Sequence, residues 1–300
     1  MTRLSAIVPA TNEPPTLERC VAAIRGAEEP PEELIVVDDA AAPGPAAARN
    51  EGAARATGDV LVFVDADVVA HADAFRRIRA AFDADPALAA LFGSYDDEPA
   101  DPGAVSAFRN LLHHHVHQAG AGPASTFWAG LGAIRREAFD AAGGFDARRY
   151  PHPSVEDIDL GLRISGAGGR IRLDPTILGT HLKAWTLGGM LHADFARRGV
   201  PWTELLLEQG TASTALNLGW RHRLSALAVL AAAISLATWR PRRAAGSLVV
   251  LVALNADFYR LLARRRGPVE AAVGVGLHAL HHLAGIAAVP AALARRSRVR

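Results

Sequence analysis

The sequence predicts an α/β domain built on a mostly parallel sheet and continued by apolar helices. Three observations carry this: short Val- and Ile-rich runs alternate with segments of helical periodicity, acidic residues close two of those runs, and beyond Trp220 long stretches lose all charge. Short apolar runs without polar alternation mark strands covered on both faces, which places Leu4 to Val8, Leu34 to Val37 and Val60 to Val64 in one sheet. Between the first two, Leu17, Cys20, Val21 and Ile24 recur at i, i+3, i+4 and i+7 after the start signal Pro14-Pro15, so a helix is expected there. Phe75, Ile78 and Phe82 form a second apolar stripe, and Pro43, Gly44 and Pro45 read as a loop. A further strand is expected near Leu88 to Phe92, a helix from Val155 to Ile164, and short strands at Arg170 to Leu173 and Ile177 to His181. Strands alternating with helices are the order of a parallel α/β sheet.

With 300 residues, 50% of them hydrophobic, the chain can bury a real core and is not a disordered segment. Its net charge of +1 conceals a division. Residues 221–300 hold 13 Arg against Asp257 and Glu270, a charge of +11, whereas residues 1–220 hold 19 basic and 29 acidic side chains, a charge of −10. The basic part is also the apolar one. Leu224 to Trp239, Ala244 to Leu254 and Ala271 to Leu293 carry no formal charge, and Arg clusters at Arg240, Arg242 and Arg243 and at Arg264 to Arg266 separate them. As a helix the 23 residues of the last segment run about 35 Å, against a bilayer core of ~30 Å. The pattern reads as a first domain over 1–205, interfacial linker helices over 206–222, and a membrane region over 223–300 with two or three hydrophobic helices and headgroup-level arginines. Asn255, Asp257 and Arg260, which follow this second segment directly, are expected to face other helices, unless that segment is a short re-entrant piece. Basic charge in so hydrophobic a context argues against nucleic acid. The opening MTRLSAIVPATNE lacks the ~7 to 15 apolar residues of a signal-peptide core. The single cysteine, Cys20, excludes an intramolecular disulfide. The expectation is a multi-pass inner-membrane protein whose first domain is cytoplasmic.

Asp38-Asp39 closes the run LIVVDD, and Asp65-Ala66-Asp67 closes DVLVFVDAD, at the strand ends where open α/β sheets bind ligands. Two carboxylates two residues apart point to one side if the backbone stays extended, which suits a hard divalent cation bridging a diphosphate. A solvated loop carries the same residues, so the accompanying stretches decide. AIVPATNE, LIVVDDA, AARNEGAARATGDVLVFVDADV, FWAGLGAIRREAFDAAGGFD, SVEDIDLGLRISGAGGRI and GTHLKAW follow one another between residues 4 and 205. In that order they resemble the family 2 glycosyltransferases of the membrane-anchored bacterial type. The resemblance implies the GT-A fold, a Rossmann-like, mostly parallel sheet followed by transmembrane helices, and a hexosyltransferase-like activity on a nucleotide-sugar donor. Thr11 stands where the family often carries Tyr, and VDDA replaces the commoner VDDGS.

For single residues, the resemblance implies that Pro9, Ala10, Thr11, Glu13, Asp39, Arg49 and Asp65 bind the donor. Asp67, with Asp65 and the late His181, would hold Mg2+ or Mn2+ against the charge gathering on the departing nucleoside diphosphate. Glu156-Asp157 matches the ED motif, whose Asp is the general base for the acceptor hydroxyl, and inversion at the anomeric carbon is implied. Such a base needs its pKa raised, here by neighbours such as Glu156 and Asp159. The same acids also suit the first turn of a helix capped by Ser154, and their place in the motif series is what favours chemistry. Phe127, Trp128 and Gly130 are expected either on the acceptor side, an aromatic plane beside a residue that permits close approach, or in the core packing. Trp202, in RRGVPW, belongs there or at the bilayer interface. Membrane anchoring implies a lipid-linked, polyprenyl or otherwise membrane-proximal acceptor.

His113, His114, His115 and His117 have no carboxylate or Cys at ligand spacing, and adjacent helical residues do not share a face. An interfacial or pocket-lining helix is expected there. Two other readings stay open on sequence alone. A nucleotidyltransferase on a related sheet lacks its Gly- and Arg-rich loop after Val8, and an inactive membrane scaffold has no need of Asp39, Asp65, Asp67 and Asp157.

Overall fold

Each apolar run of the first half becomes a strand. In the computed structural model, which describes residues 1–11, 14–38, 44–209 and 219–299, β1 (Leu4–Pro9), β2 (Glu33–Val37) and β3 (Val60–Val64) lie in the order β2-β1-β3, all parallel. All of β3 is buried, as its uninterrupted apolar run demands. The intervening helices are α1 (Leu17–Arg25) and α2 (Pro45–Arg55), the second opened by a proline whose missing N–H costs nothing there. After β4 (Val68–Ala70), α3 (Ala74–Ala84) leads to β5 (Leu88–Tyr95), and α4 (Ala104–Ala119) to β6 (Gly122–Ala124) and β7 (Leu131–Arg135). Next come α5 (Arg136–Ala141), α6 (Glu156–Gly166) and β8 (Arg170–His181). The mostly parallel sheet is mixed: β7 runs antiparallel between β3 and β5, β8 lies parallel to β5, and β4 and β6 pair antiparallel with β8. The two short strands expected at 170–181 are one strand, kept continuous by an irregularity where its partners step from Phe92↔Leu173 to Ser94↔Leu178.

By contact the chain divides into two units that interleave along the sequence, Met1–Ala100 with His117–Lys183, and Asp101–Val116 with Ala184–Arg300. In the first, alternate residues of β3 face opposite layers. Val60, Val62 and Val64 pack with Phe75, Ile78 and Phe82, whereas Phe63 meets Phe139 and Phe145 at centroid distances of 5.6 and 5.2 Å. Glu33, at the start of β2, accepts from the Ser5 hydroxyl at 2.5 Å and from the Thr57 amide and hydroxyl at 2.8 and 2.5 Å, which pulls its carboxyl down to about 2. Glu33→Ala is expected to cost about 1–3 kcal/mol of unfolding free energy, read by thermal denaturation. Because the folded pKa is depressed, this contribution is complete above about 4.5 and disappears as pH falls towards about 2.

The second unit is helical: α7 (Leu187–His192), a π-helical segment Ala193–Gly199, α8 (Val200–Gln209), α9 (Trp220–Ala237), α10 (Pro241–Leu254), α11 (Ala256–Arg266) and α12 (Pro268–Val299), with the first part of α4. Phe108, Met190, Phe258, Leu262 and Leu277 form its core. Two or three spanning helices were expected, and among the described residues one qualifies by length and composition, Pro268–Ser297, or two if the pair α10 and α11, bent by 79° at their break, counts as one span. α9 falls short because Arg221 and Arg223 open it and leave only Leu224 to Ala237 uncharged, about 21 Å of helix. Leu227, Ile234 and Leu236 of α9 and Val249 of α10 are more than half exposed. Asn255 faces another helix as expected, its amide donating to Ser225 Oγ at 2.8 Å. Asp257 and Arg260 do not: they neutralise each other on the exposed side of α11.

Candidate active site

The parallel strands end on one edge of the sheet, and each delivers polar residues there. The Ala10 amide donates to the Val37 carbonyl at 2.8 Å, so Pro9, Ala10 and Thr11 stand beside the end of β2. Glu13 and Asp39 lie outside the described residues. The expectation that DAD stays extended fails, because the Val68 amide donates back to the Asp65 carbonyl at 2.9 Å and closes a turn. Asp65 is held by Arg49 and Asp67 by His181. His181 Nε2 lies 3.5 Å from Asp67 Oδ2 because the β4–β8 register sets His181 opposite Val68, and Leu182 donates to the Asp67 carbonyl at 2.8 Å. Burial would raise the Asp67 pKa, but His181 and then Lys183 outweigh it and hold the carboxyl below its ordinary value. The Tyr95 ring stacks on His181 at 4.2 Å, and Trp128 meets Tyr95 edge-on at 4.9 Å.

One cation joins the strand end to the ED helix. Arg49 Nη2 donates to Asp65 Oδ1 at 2.7 Å and Nη1 to Glu156 Oε1 at 2.9 Å, and the Arg49 and Glu156 side chains are each only 6% exposed. Its guanidinium lies over the Phe145 ring at 5.4 Å, and its Nε is buried without a partner among the described residues. Burial opposes that charge, but Asp65, Glu156 and Asp157 hold the Arg49 pKa above its ordinary value. Glu156 Oε2 also accepts from the Ser154 amide at 2.8 Å, so this acid helps to close the start of α6.

Asp157 is half-buried, its Oδ2 accepting from the Ala129 amide at 3.2 Å and Oδ1 from the Ile158 amide at 2.8 Å. Burial first, and the neighbouring Glu156 second, push its pKa up to about 6 against Arg49 and the two amides. Asp159, also expected to act here, is turned to Arg163 at 3.0 Å. Behind Asp157, a Cβ on Gly161 would stand 2.2 Å from the Phe127 nitrogen, so α6 rests directly on the backbone that leads to Ala129. Gly161→Ala is expected to push α6 away from this segment, costing about 1–3 kcal/mol and lowering turnover together with the melting temperature. The Gly130 carbonyl accepts from the Asp65 amide at 3.0 Å, and the Trp128 indole folds over the place a Gly130 side chain would fill. Phe127 is buried in the core against Phe92, as the core-packing reading of this residue has it. Trp202 lies on α8, in the other unit.

Among the described residues, no three His, Cys, Asp or Glu side chains converge on a cation position. Asp67 and His181 still place a carboxylate oxygen beside an imidazole nitrogen, and hard cations at phosphate sites commonly rest on one or two side chains with phosphate oxygens and water completing the shell. The residues present fit Mg2+ or Mn2+ on those terms. Sequence reasoning missed Asp96, whose Oδ2 is 3.0 Å from His71 Nε2 and accepts from the Thr180 hydroxyl. Its signal was there: Asp96-Asp97 is a third acidic pair after an apolar run. The histidine run of α4 divides, with His117 donating from Nδ1 to the Gly93 carbonyl at 2.9 Å in the first unit and His115 beside Phe258 in the second. The Cys20 thiol, pushed up to about 12 by burial and then by Asp65 and Asp67, is no nucleophile.

The model of Glycosyl transferase family 2 matches residues 5–44 and 41–143. Pre-mycofactocin glycosyltransferase from two strains of Mycobacterium tuberculosis is 30% identical over 207 residues, 59% of this chain and 42% of that protein. The chain thus spans less than half the length of the curated relatives it matches. Among solved structures, the mannosyltransferase PcManGT from Pyrobaculum calidifontis, in complex with GDP-Man and Mn2+, superposes with a TM-score of 0.58 at 19% identity, covering 95% of this chain and 87% of that one. That likeness is one of fold.

Proposed function

Because residues 5–143 match the model of glycosyl transferase family 2 and the sheet is that of a GT-A domain, we propose that this chain transfers a sugar from a nucleotide-sugar donor to an acceptor hydroxyl with inversion. The observation that carries the reading is the single buried Arg49 that binds Asp65 and Glu156 and so joins the donor end of the sheet to the helix of Asp157. Pro9 to Thr11, Glu13, Asp39, Arg49 and Asp65 receive the donor. An Asp157 oxygen takes the acceptor proton: with a pKa of about 6 it is mostly ionised near neutral pH yet more basic than an ordinary carboxylate. Glu156 positions, since both its oxygens are engaged. A divalent cation, Mg2+ or Mn2+, on Asp67 and His181 with Asp65 alongside, supplies Lewis-acid stabilisation of the leaving nucleoside diphosphate. Trp128 and Gly130 flank the acceptor, with Trp202 at the acceptor or the interface.

The apolar α12 supports a membrane-proximal, lipid-linked or polyprenyl acceptor. A multi-pass inner-membrane placement, with domain 1–205 on the cytoplasmic side, linker 206–222 and membrane region 223–300, rests on the charge and hydropathy pattern of the sequence alone. A phosphate acceptor is already ionised and needs no base, so Asp157 favours a hydroxyl. The test screens the detergent-purified full chain against UDP-, GDP- and TDP-sugars with Mg2+ or Mn2+. Nucleoside diphosphate should be released, and the product's anomeric configuration by NMR should be opposite to the donor's. Release of inorganic diphosphate instead would support a nucleotidyltransferase, and failure to bind any nucleoside diphosphate an inactive scaffold.

A further inference from the structure

The second unit gathers four imidazoles that the transfer reaction does not use. His278, His281 and His282 stand at i, i+3 and i+4 on α12, which puts all three on one side of the helix. α9 supplies His222, whose ring centroid lies 4.6 Å from that of His282 and 5.9 Å from that of His281, while His278 stacks on His282 at 4.7 Å. His278 and His282 are 3% and 2% exposed, and neither ring nitrogen of His282 has a hydrogen-bond partner among the described residues. A buried polar group left in that state costs free energy and calls for a partner that accepts its lone pair.

The surroundings identify that partner's chemistry. Nδ1 of His281 faces Asp194 Oδ2 at 2.9 Å, and Arg109 in turn holds Asp194 at 2.6 Å. Nδ1 of His278 faces the Tyr259 hydroxyl at 2.9 Å. Both rings therefore have Nδ1 engaged and Nε2 left over, which is how a carboxylate or hydroxyl orients a metal-ligating imidazole. Asp194 sits in the π-helical segment, a rare geometry that recurs at functional sites. We propose that His222, His278, His281 and His282 bind one late first-row transition-metal ion, Zn2+ in the first instance, with Asp194 and Tyr259 orienting two of the ligands. Imidazole prefers such ions to hard Mg2+, so this site and the Asp67–His181 pair take different metals. The nitrogens do not converge on one point among the described residues, and binding requires the rings of His222 and His282 to turn about their Cβ–Cγ bonds while Asp194 and Tyr259 keep His281 and His278 in place.

The test uses the untagged full chain in detergent, stripped with a chelator and titrated with ZnCl2 by calorimetry and with CoCl2 by visible absorption. One Zn2+ per chain, a tetrahedral Co2+ spectrum and a raised melting temperature are expected. His278→Gln with His282→Gln should remove all three, Asp194→Asn should weaken Zn2+ binding about 10- to 100-fold, and Asp67→Asn should leave it unchanged. Binding that survives the double histidine variant, or that Asp67→Asn abolishes, overturns the proposal, as does the absence of Zn2+ binding to the parent chain. Circular dichroism checks that the glutamine variants fold. If the double variant does not, His222→Gln carries the same comparison.

Discussion

Asp157→Asn is expected to lower kcat by about 100- to 10,000-fold while leaving the protein at least as stable as the parent. The two effects share one cause. Asp157 is half-buried next to Glu156, and its pKa rises to about 6 because burial and that neighbouring charge both disfavour the ionised form. The folded state therefore holds this proton more tightly than the unfolded chain, so stability falls as pH rises from about 3.8 to about 6 and stays lower above. Asn cannot ionise and still offers an oxygen to the Ala129 or Ile158 amide, so at neutral pH the unfolding free energy should rise by an amount on the order of 1–2 kcal/mol and the melting temperature with it. In the parent, kcat/KM should fall about tenfold per pH unit below a value near 6, reporting protonation of the base. Retained turnover in the Asn variant, or a parent profile flat across that region, would sink the assignment.

Arg49→Ala should be the most destabilising single change at the site, costing about 3–5 kcal/mol, because it leaves the buried Glu156 carboxylate unpaired. Donor affinity should fall with it, since Asp65 loses the contact that fixes its turn. Arg49→Lys should recover little, as one ammonium cannot span two carboxylates in a fork. The combination Arg49→Met with Glu156→Gln removes both charges and should regain much of the stability but none of the turnover. Denaturation midpoints and the Kd for a nucleoside diphosphate separate these outcomes.

What the sequence made legible follows from range. Strands such as β3 could be read because five successive apolar residues leave a short run no other buried home, and Asp157 because it sits in an ordered series of stretches. The reversal of β7 could not, since Leu-Gly-Ala-Ile-Arg carries no mark of direction. Asp65 and Asp67 share a side only if the backbone stays extended, and spacing alone could not show the hydrogen bond from the Val68 amide that closes a turn there. Arg49 was legible as a donor-site residue but not as a bridge, because its second carboxylate is 107 residues away in the chain. Tyr95 against His181 has the same origin: parallel β5 and β8 bring their ends together, and only topology says so.

The irregularity in β8 bears on how this chain can change in length. Between Leu173 and Leu178, β8 has more residues than its partner segment from Phe92 to Ser94, so one residue gained or lost there shifts no downstream pairing. Past it the pairing tightens to Ala70↔Gly179, Val69↔Thr180 and Val68↔His181, where one inserted residue would turn His181 to the opposite face and away from Asp67. The strand thus holds a segment tolerant of insertion next to one in which each residue is counted, and homologous chains are expected to vary in length before Leu178 and to keep their spacing from Gly179 to His181.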